Sequence, residues 1–393
     1  MTIKDTPANA AARLAPGAQV ELAFNDLLAN GQAVGRTGGM VIFCFGPLPQ
    51  ERARVRIQSI KPKYAVAELV QLLVKSPLRA TPFCPVFGTC GGCQVQHLAY
   101  PGQLQWKQQV VKSALARIGG FPEAEVRDTM GMINPRSYRN KMSLVADRSG
   151  EVPRVGFYRQ RSHDVVPIDA CPIVAAPLSA QIPRINDMLA APETAAALAS
   201  TRHIVARAAR ATEQTVITFT MAEPSAQLKS LAPEMLRRLP GTAGITESFD
   251  LTSVNAIMGR RHQLAAGAAQ IEEQIAGVRY RVSPGSFFQV NVEIVARIFE
   301  FMRPGLETPR TIVDLYCGAG TFSLFFAKCG STVFGIEESA RAIGEAQENA
   351  ALNGLRGAQF SCGKVEDVLR RAEGRAALEN AQIVFLDPPR NGS

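Results

Sequence analysis

Residues 311 to 337, "TIVDLYCGAGTFSLFFAKCGSTVFGIE", constrain the fold more than any other stretch of this 393-residue chain. An apolar run enters a glycine-rich turn, a helical pattern follows, and a second apolar run ends on an acid. "AQFSCGKVEDVLRRAE" continues the alternation and "AQIVFLDPPR" ends on a further apolar strand. Strands alternating with helices predict a parallel sheet with crossover helices.

The turn also predicts a ligand. Gly318 and Gly320 let the backbone pass close to a bound molecule, and the helix N-terminus behind them favours polar or anionic groups. Ser323 stands where the dinucleotide fingerprint has its third glycine, which disfavours NAD. Glu337 closes the next strand, where an acid can accept both hydroxyls of a ribose, as S-adenosylmethionine (SAM) requires. Asp387 ends a later strand, at the edge where open α/β sheets bind ligands, and two prolines fix the backbone after it.

Residues 18 to 74 read differently, as short strands separated by "NDLLANG", "RTGG", "GPLPQE" and "KPK". Such spacing predicts a small β-barrel. Arg52, Arg54, Arg56, Lys61 and Lys63 alternate along two of its strands, as a solvated face or as an RNA contact. A net charge of +9 fits a polyanionic partner. The N-terminus carries no signal peptide pattern and no apolar run approaches about 18 residues, so a soluble, cytoplasmic protein is expected.

Eight cysteines in that compartment point to metal or redox chemistry rather than disulfides. Cys84, Cys90 and Cys93 form a C-x5-C-x2-C run, and Cys171, followed by Pro172, is a fourth candidate. Four thiolates can hold zinc or an iron–sulfur cluster. Zinc ribbons usually use two tight C-x2-C pairs, and only one pair is tight here. Gly91 and Gly92 allow backbone N–H groups to approach anionic sulfides. Cys44, Cys329 and Cys362 read as buried core cysteines.

After a helical stretch from Tyr100 comes a mixed region over about 125 to 285. Within it, Arg136, Arg139, Lys141, Arg148, Arg154, Arg159 and Arg161 face only Asp147 and Glu151, with Tyr138, Phe157 and Tyr158 interleaved. Cations mixed with aromatics suit phosphate binding and base stacking, although a two-sided surface hairpin carries the same pattern.

The barrel, the "CGGC" loop with its distant cysteine, "SFFQVN" and "DLYCGAGTFSL…GIE…LDPPR" occur together in that order. From about residue 18 to residue 393 the chain thereby resembles the RNA uracil-5 methyltransferases, in the branch with a TRAM domain and an iron–sulfur cluster. The resemblance implies an α/β protein of three domains. These are an OB-like TRAM barrel over 15–76, an iron–sulfur segment and RNA-binding domain over 77–285, and an incomplete Rossmann-like methyltransferase domain over 286–393. It implies a [4Fe–4S] cluster on Cys84, Cys90, Cys93 and Cys171, and SAM contacts from Gln289, Tyr316, Glu337 and Asp387.

The implied product is 5-methyluridine in 23S ribosomal RNA, with transfer RNA as the alternative substrate, made by a monomer independent of membranes. A cysteine thiolate adds to uracil C6, C5 takes the methyl group, and a base removes the C5 proton. In the family this cysteine and a glutamate base follow the "DPPR" strand, so both are expected beyond residue 393. Cys317 is the nearest substitute, but it lies in the cofactor turn. Two other readings remain: an amino-group methyltransferase, disfavoured because Arg390 stands where those enzymes place an aromatic, and an inactive RNA-binding remnant.

Overall fold

The computed structural model describes residues 14–253 and 255–389. The chain divides into two units: residues up to Gly131 with Tyr158–His163, and Met132–Phe157 with the residues from Asp164 onward. Arg390 lies outside the described residues.

In the first unit, alternation of buried and exposed residues builds five strands: β1 (Gln19–Leu27), β2 (Gln32–Thr37), β3 (Met40–Phe45), β4 (Glu51–Ile60) and β5 (Tyr64–Val74). They close as the expected barrel in the order β1-β2-β3-β5-β4, with β4 returning antiparallel to β1. One side of each strand points inward, so Phe24, Ile42, Val55 and Ala65 lose all contact with solvent. Closure leaves no free sheet edge. Glu51 is also buried, and it accepts bonds from Arg79 Nε (2.5 Å) and Nη2 (2.6 Å), Leu48 N (2.8 Å) and Ser76 N (3.0 Å). That carboxylate ties the segment leaving the barrel to the barrel wall. Helix α1 (Tyr100–Arg117) is pinned by Trp106, whose Nε1 donates to Leu27 O at 3.0 Å.

The second unit holds two larger sheets. The first combines β6 (Lys141–Asp147), β7 (Arg154–Tyr158), β8 (Val165–Pro167), β9 (His203–Ala208), β10 (Thr215–Thr220), β11 (Thr242–Phe249) and β12 (Arg261–Gly267). Its order is β12-β11-β10-β9-β6-β7-β8, and β9 and β10 are buried at every position. Helices α2 (Ala176–Ser179), α3 (Gln181–Ala190), α4 (Pro192–Leu198) and α5 (Ala226–Arg237) accompany it. A hairpin of β13 (Ile271–Ile275) and β14 (Val278–Val282) and helix α6 (Val292–Met302) lead into the last sheet.

That sheet runs β15 (Thr311–Leu315), α7 (Thr321–Lys328), β16 (Thr332–Glu337), α8 (Ala340–Leu352) and β17 (Ala358–Cys362). It then passes through α9 (Val365–Val368) and α10 (Ala372–Glu379) to β18 (Ile383–Leu386). Every pairing is parallel and the order is β17-β16-β15-β18. The chain steps from β15 to one side and returns to the other, which makes the carboxyl end of β15 a topological switch point. Packed phenylalanines fix the helices on the sheet: Phe299 stacks on Phe325 at 4.0 Å, and Phe322 and Phe326 both meet Phe385.

One expectation is corrected. Of the three cysteines read as core residues, only Cys44 is buried; Cys329 is half-buried and Cys362 is exposed. Cys329 follows the last turn of α7 and packs only partly buried against the core, and Cys362 ends strand β17 at the sheet edge. No described helix is long and apolar enough to cross a membrane.

Candidate cofactor site

The glycine turn leaves β15 through Tyr316, whose φ of 64° places a bulky residue in the left-handed region. Such a conformation costs on the order of 1–3 kcal/mol and persists only where the surroundings enforce it. Here Cys317 N donates to Ile336 O at 3.0 Å, stitching the turn to β16. Gly318 (φ 55°) faces open space, since a Cβ there would have nothing within 4 Å; Gly320 (φ 79°) then caps α7. The opening beside Gly318 is what a closely approaching ligand needs.

Three of the expected residues flank the turn. Glu337 ends β16; its Oε2 accepts from Gly318 N at 3.3 Å and its Oε1 from Ser339 N at 2.9 Å. Asp387 follows β18, and its Oδ2 accepts from Gln289 Nε2 at 2.7 Å. Gln289, Tyr316, Glu337 and Asp387 thus come to the carboxyl edge of one parallel sheet, on both sides of the switch point. Gln289 lies ahead of the helix rather than in it, because Asn291 caps α6 by accepting from Ile294 N. Asn140 steadies it, donating to Val290 O through its backbone and to Gln289 O through Nδ2, each at 3.0 Å.

Asp314 was not singled out from the sequence, although an acid inside the apolar run "TIVDL" is a visible anomaly. It is buried on β15 and accepts from Ser323 Oγ at 2.5 Å. Burial pushes its carboxyl up to about 7, with Asp387 acting the same way and the Ser323 bonds opposing. Cys317 stands nearby. Burial, with the charges of Asp314 and Glu337, pushes its thiol well above the usual range. A protonated, buried thiol is a poor nucleophile.

In the first unit, Gly91 N donates to Tyr158 O at 2.9 Å, and a Cβ at Gly91 would lie 3.0 Å from that oxygen, a tight contact that glycine avoids. Gly92 N points at Cys90 Sγ at 3.4 Å. Burial pushes the Cys90 thiol up, the Gly92 N–H opposes, and Cys84 adds to the rise. An N–H aimed at sulfur is the polarity that an anionic thiolate ligand uses. Cys171 belongs to the second unit, where its N–H donates to Ser179 Oγ at 3.0 Å. Among the described residues, no group of three or more His, Cys, Asp or Glu side chains is gathered as a metal site.

The basic stretch divides by role. Arg148 donates to Thr201 O (2.8 Å) and Leu198 O (2.6 Å), closing the end of α4, and Arg154 pairs with Asp169. Arg161 lies over the Phe45 ring at 4.5 Å. Arg136, Arg139 and Arg159 are exposed, as are Arg148 and Arg161. On the barrel, Arg52 and Arg54 share Glu21 and Arg56 pairs with Glu68, so two carboxylates offset most of the charge of three arginines.

Residues 13–70 match the TRAM domain and residues 307–381 a methyltransferase domain. An uncharacterized RNA methyltransferase of Bacillus cereus is 33% identical over 384 residues, covering 95% of this chain and 82% of the relative. The chain belongs to the RNA methyltransferases. A second relative, from Thermosynechococcus vestitus, is 34% identical over 392 residues, covering 96% of this chain and 84% of its own. Among solved structures, the Pyrococcus abyssi tRNA (uracil-54, C5)-methyltransferase with S-adenosyl-L-homocysteine aligns over 94% of this RNA methyltransferase and 84% of that chain. The TM-score is 0.70 at 24% identity, which shows a shared fold.

Proposed function

We propose that this RNA methyltransferase is SAM-dependent and forms 5-methyluridine, with 23S ribosomal RNA as its substrate. The observation that carries the reading is the convergence of Gln289 on Asp387, and of Glu337 on the Tyr316–Gly320 turn, at one switch point. In this reading SAM supplies an electrophilic methyl group. Glu337 would accept from its ribose, Gly318 would leave room for it, and Gln289 and Asp387 would hold the methyl-bearing end.

Uracil C5 is too weak a nucleophile to attack a sulfonium methyl unaided. A cysteine thiolate adds to C6, C5 takes the methyl, a base removes the C5 proton and the thiolate departs. Burial disfavours the Cys317 thiolate inside the cofactor turn, and we place the nucleophile and the base outside the described residues. The target uridine must first leave its stack, at a cost of a few kcal/mol, roughly. The exposed Arg136, Arg139 and Arg159 are the proposed grip on the surrounding phosphates. Cys84, Cys90, Cys93 and Cys171 are the proposed ligands of a structural [4Fe–4S] cluster; the Gly92 N–H on Cys90 Sγ supports that donor chemistry.

Similarity in fold to a tRNA uracil methyltransferase favours transfer RNA as the second reading. Transfer of radiolabelled methyl from SAM to unmodified 23S ribosomal RNA and to transfer RNA, followed by nucleoside analysis, decides between them. The comparison includes this chain and a form extended beyond residue 393. Label in 5-methyluridine of 23S RNA supports the first reading, and label only in transfer RNA the second. Label in any other nucleoside overturns both. Label transferred by the 393-residue chain itself places the nucleophile within it.

A further inference from the structure

Arg207 is the largest fully buried side chain among the described residues, on a strand with no exposed position. A buried guanidinium survives only where opposite charge and hydrogen bonds compensate its lost hydration. Its Nη2 donates to Ser286 O at 2.8 Å, while Nε and Nη1 have no hydrogen-bond partner among the described residues. Glu345, 5% exposed on α8, accepts from Ser286 Oγ at 2.5 Å through Oε1; its Oε2 has no such partner. Burial pulls Arg207 down to about 10, and the Glu345 charge pushes it back up. A cation and an anion therefore hold the two ends of one serine.

Ser286 begins the loop that carries Gln289. Next, Phe287 is 67% exposed, while Phe288 is buried with its ring 5.6 Å from that of Tyr280. Asn140 then takes both Gln289 O and Val290 O. With its start, middle and end fixed, the loop leaves the Gln289 side chain on course for Asp387. Apolar packing could bury the same space, but it would not fix the direction in which Ser286 points.

We propose that Arg207 and Glu345 are positioning residues, an opposite-charge clamp on Ser286 that sets the 286–290 loop so that Gln289 meets Asp387 in the geometry that receives the cofactor. The inference rests on the reading of Gln289 and Asp387 as SAM contacts.

The test is S-adenosylhomocysteine affinity by calorimetry on the full chain, with melting temperatures recorded for every variant. Gln289→Ala is expected to weaken binding about tenfold, the loss that follows removal of one hydrogen bond to a charged group. Ser286→Ala and Glu345→Ala each weaken it roughly three- to tenfold in the native background, and add nothing once Gln289 is alanine. Glu345→Gln, which keeps the acceptor and removes the charge, recovers part of the loss. Equal losses with and without Gln289 would overturn the proposal, as would unchanged affinity for Ser286→Ala and Glu345→Ala beside a weakened Gln289→Ala. Should Glu345→Ala fail to fold, Ser286→Ala, which deletes one oxygen, decides. Unchanged affinity for Gln289→Ala overturns the cofactor reading itself, and the clamp with it.

Discussion

Gln289 and Asp387, 98 residues apart in the chain, meet through a 2.7 Å hydrogen bond just beyond the carboxyl end of β18. The bond holds a carboxylate in place just beyond β18, and it joins the loop before α6 to the last described strand. Asp387→Asn keeps the shape and removes the charge. S-adenosylhomocysteine affinity is expected to fall about tenfold with little change in melting temperature. Calorimetry checks this, and an unaltered affinity would remove Asp387 from the cofactor site.

Asp314 links that site to stability. Burial, reinforced by Asp387, holds its carboxyl at about 7 against an ordinary 3.8. A folded-state value above the unfolded one means that the folded protein keeps the proton longer. The contribution to stability is therefore complete below about pH 4 and is lost as pH rises through about 7. A shift of this size amounts to at most about 4 kcal/mol. Asp314→Asn cannot ionise, so its melting temperature is expected to gain on the wild type between pH 5 and pH 8. A constant difference across that range would show that Asp314 does not titrate there.

The barrel carries the opposite sign. Burial raises the Glu51 carboxyl, but Arg79 and the N–H groups of Ser76 and Leu48 outweigh it and hold it below the usual range. Its contribution is present above the ordinary carboxylate value and is lost as acid brings the pH down through the depressed one. Glu51→Ala leaves the Arg79 guanidinium, at 17% exposure, without its carboxylate. Removing one partner of a buried pair costs about 3–5 kcal/mol. Urea denaturation at pH 7 measures it, and a loss under about 1 kcal/mol would class the pair with exposed ones.

The sheet and barrel were readable because strand periodicity and turn residues are local signals. "MVIFCF" is a short continuous apolar run rich in β-branched and aromatic residues between Gly39 and Gly46, and it is strand β3 at those positions. Glu337 was found at a strand end because an apolar run stops there. Asp314, Arg207 and Glu345 were missed because their meaning lies in partners brought together only by folding: the Ser286–Glu345 bond joins residues 59 apart. Cysteine positions misled for the same reason, since residue type gave Cys362 a buried place that its edge strand does not provide.

The "CGGC" loop makes a compositional prediction. After anaerobic reconstitution, iron and acid-labile sulfide are each expected at about four per chain, the content of a [4Fe–4S] cluster. Cys90→Ser should lose the cluster and lower the melting temperature together with RNA binding. Zinc in place of iron would contradict the cluster. Lost RNA binding in a variant that melts like the wild type would contradict a purely structural role.

Two arginines of one basic stretch should fail in different ways. Arg148 spends both terminal nitrogens on the carbonyls of Leu198 and Thr201, and burial already pulls its guanidinium down from the usual value. Arg148→Ala is expected to cost about 1–3 kcal/mol of stability by orphaning those carbonyls, with RNA affinity unchanged in the folded protein. Arg139 is exposed, with its Nε on Lys141 O at 3.0 Å. Arg139→Ala should leave melting nearly unchanged, weaken RNA binding uniformly across sequences, and reduce the salt slope of log K by about one. Filter binding across a salt series separates the two, because a phosphate contact changes the slope and a packing residue does not. If Arg148→Ala changed the slope and Arg139→Ala did not, the division of this stretch into support and grip would be reversed.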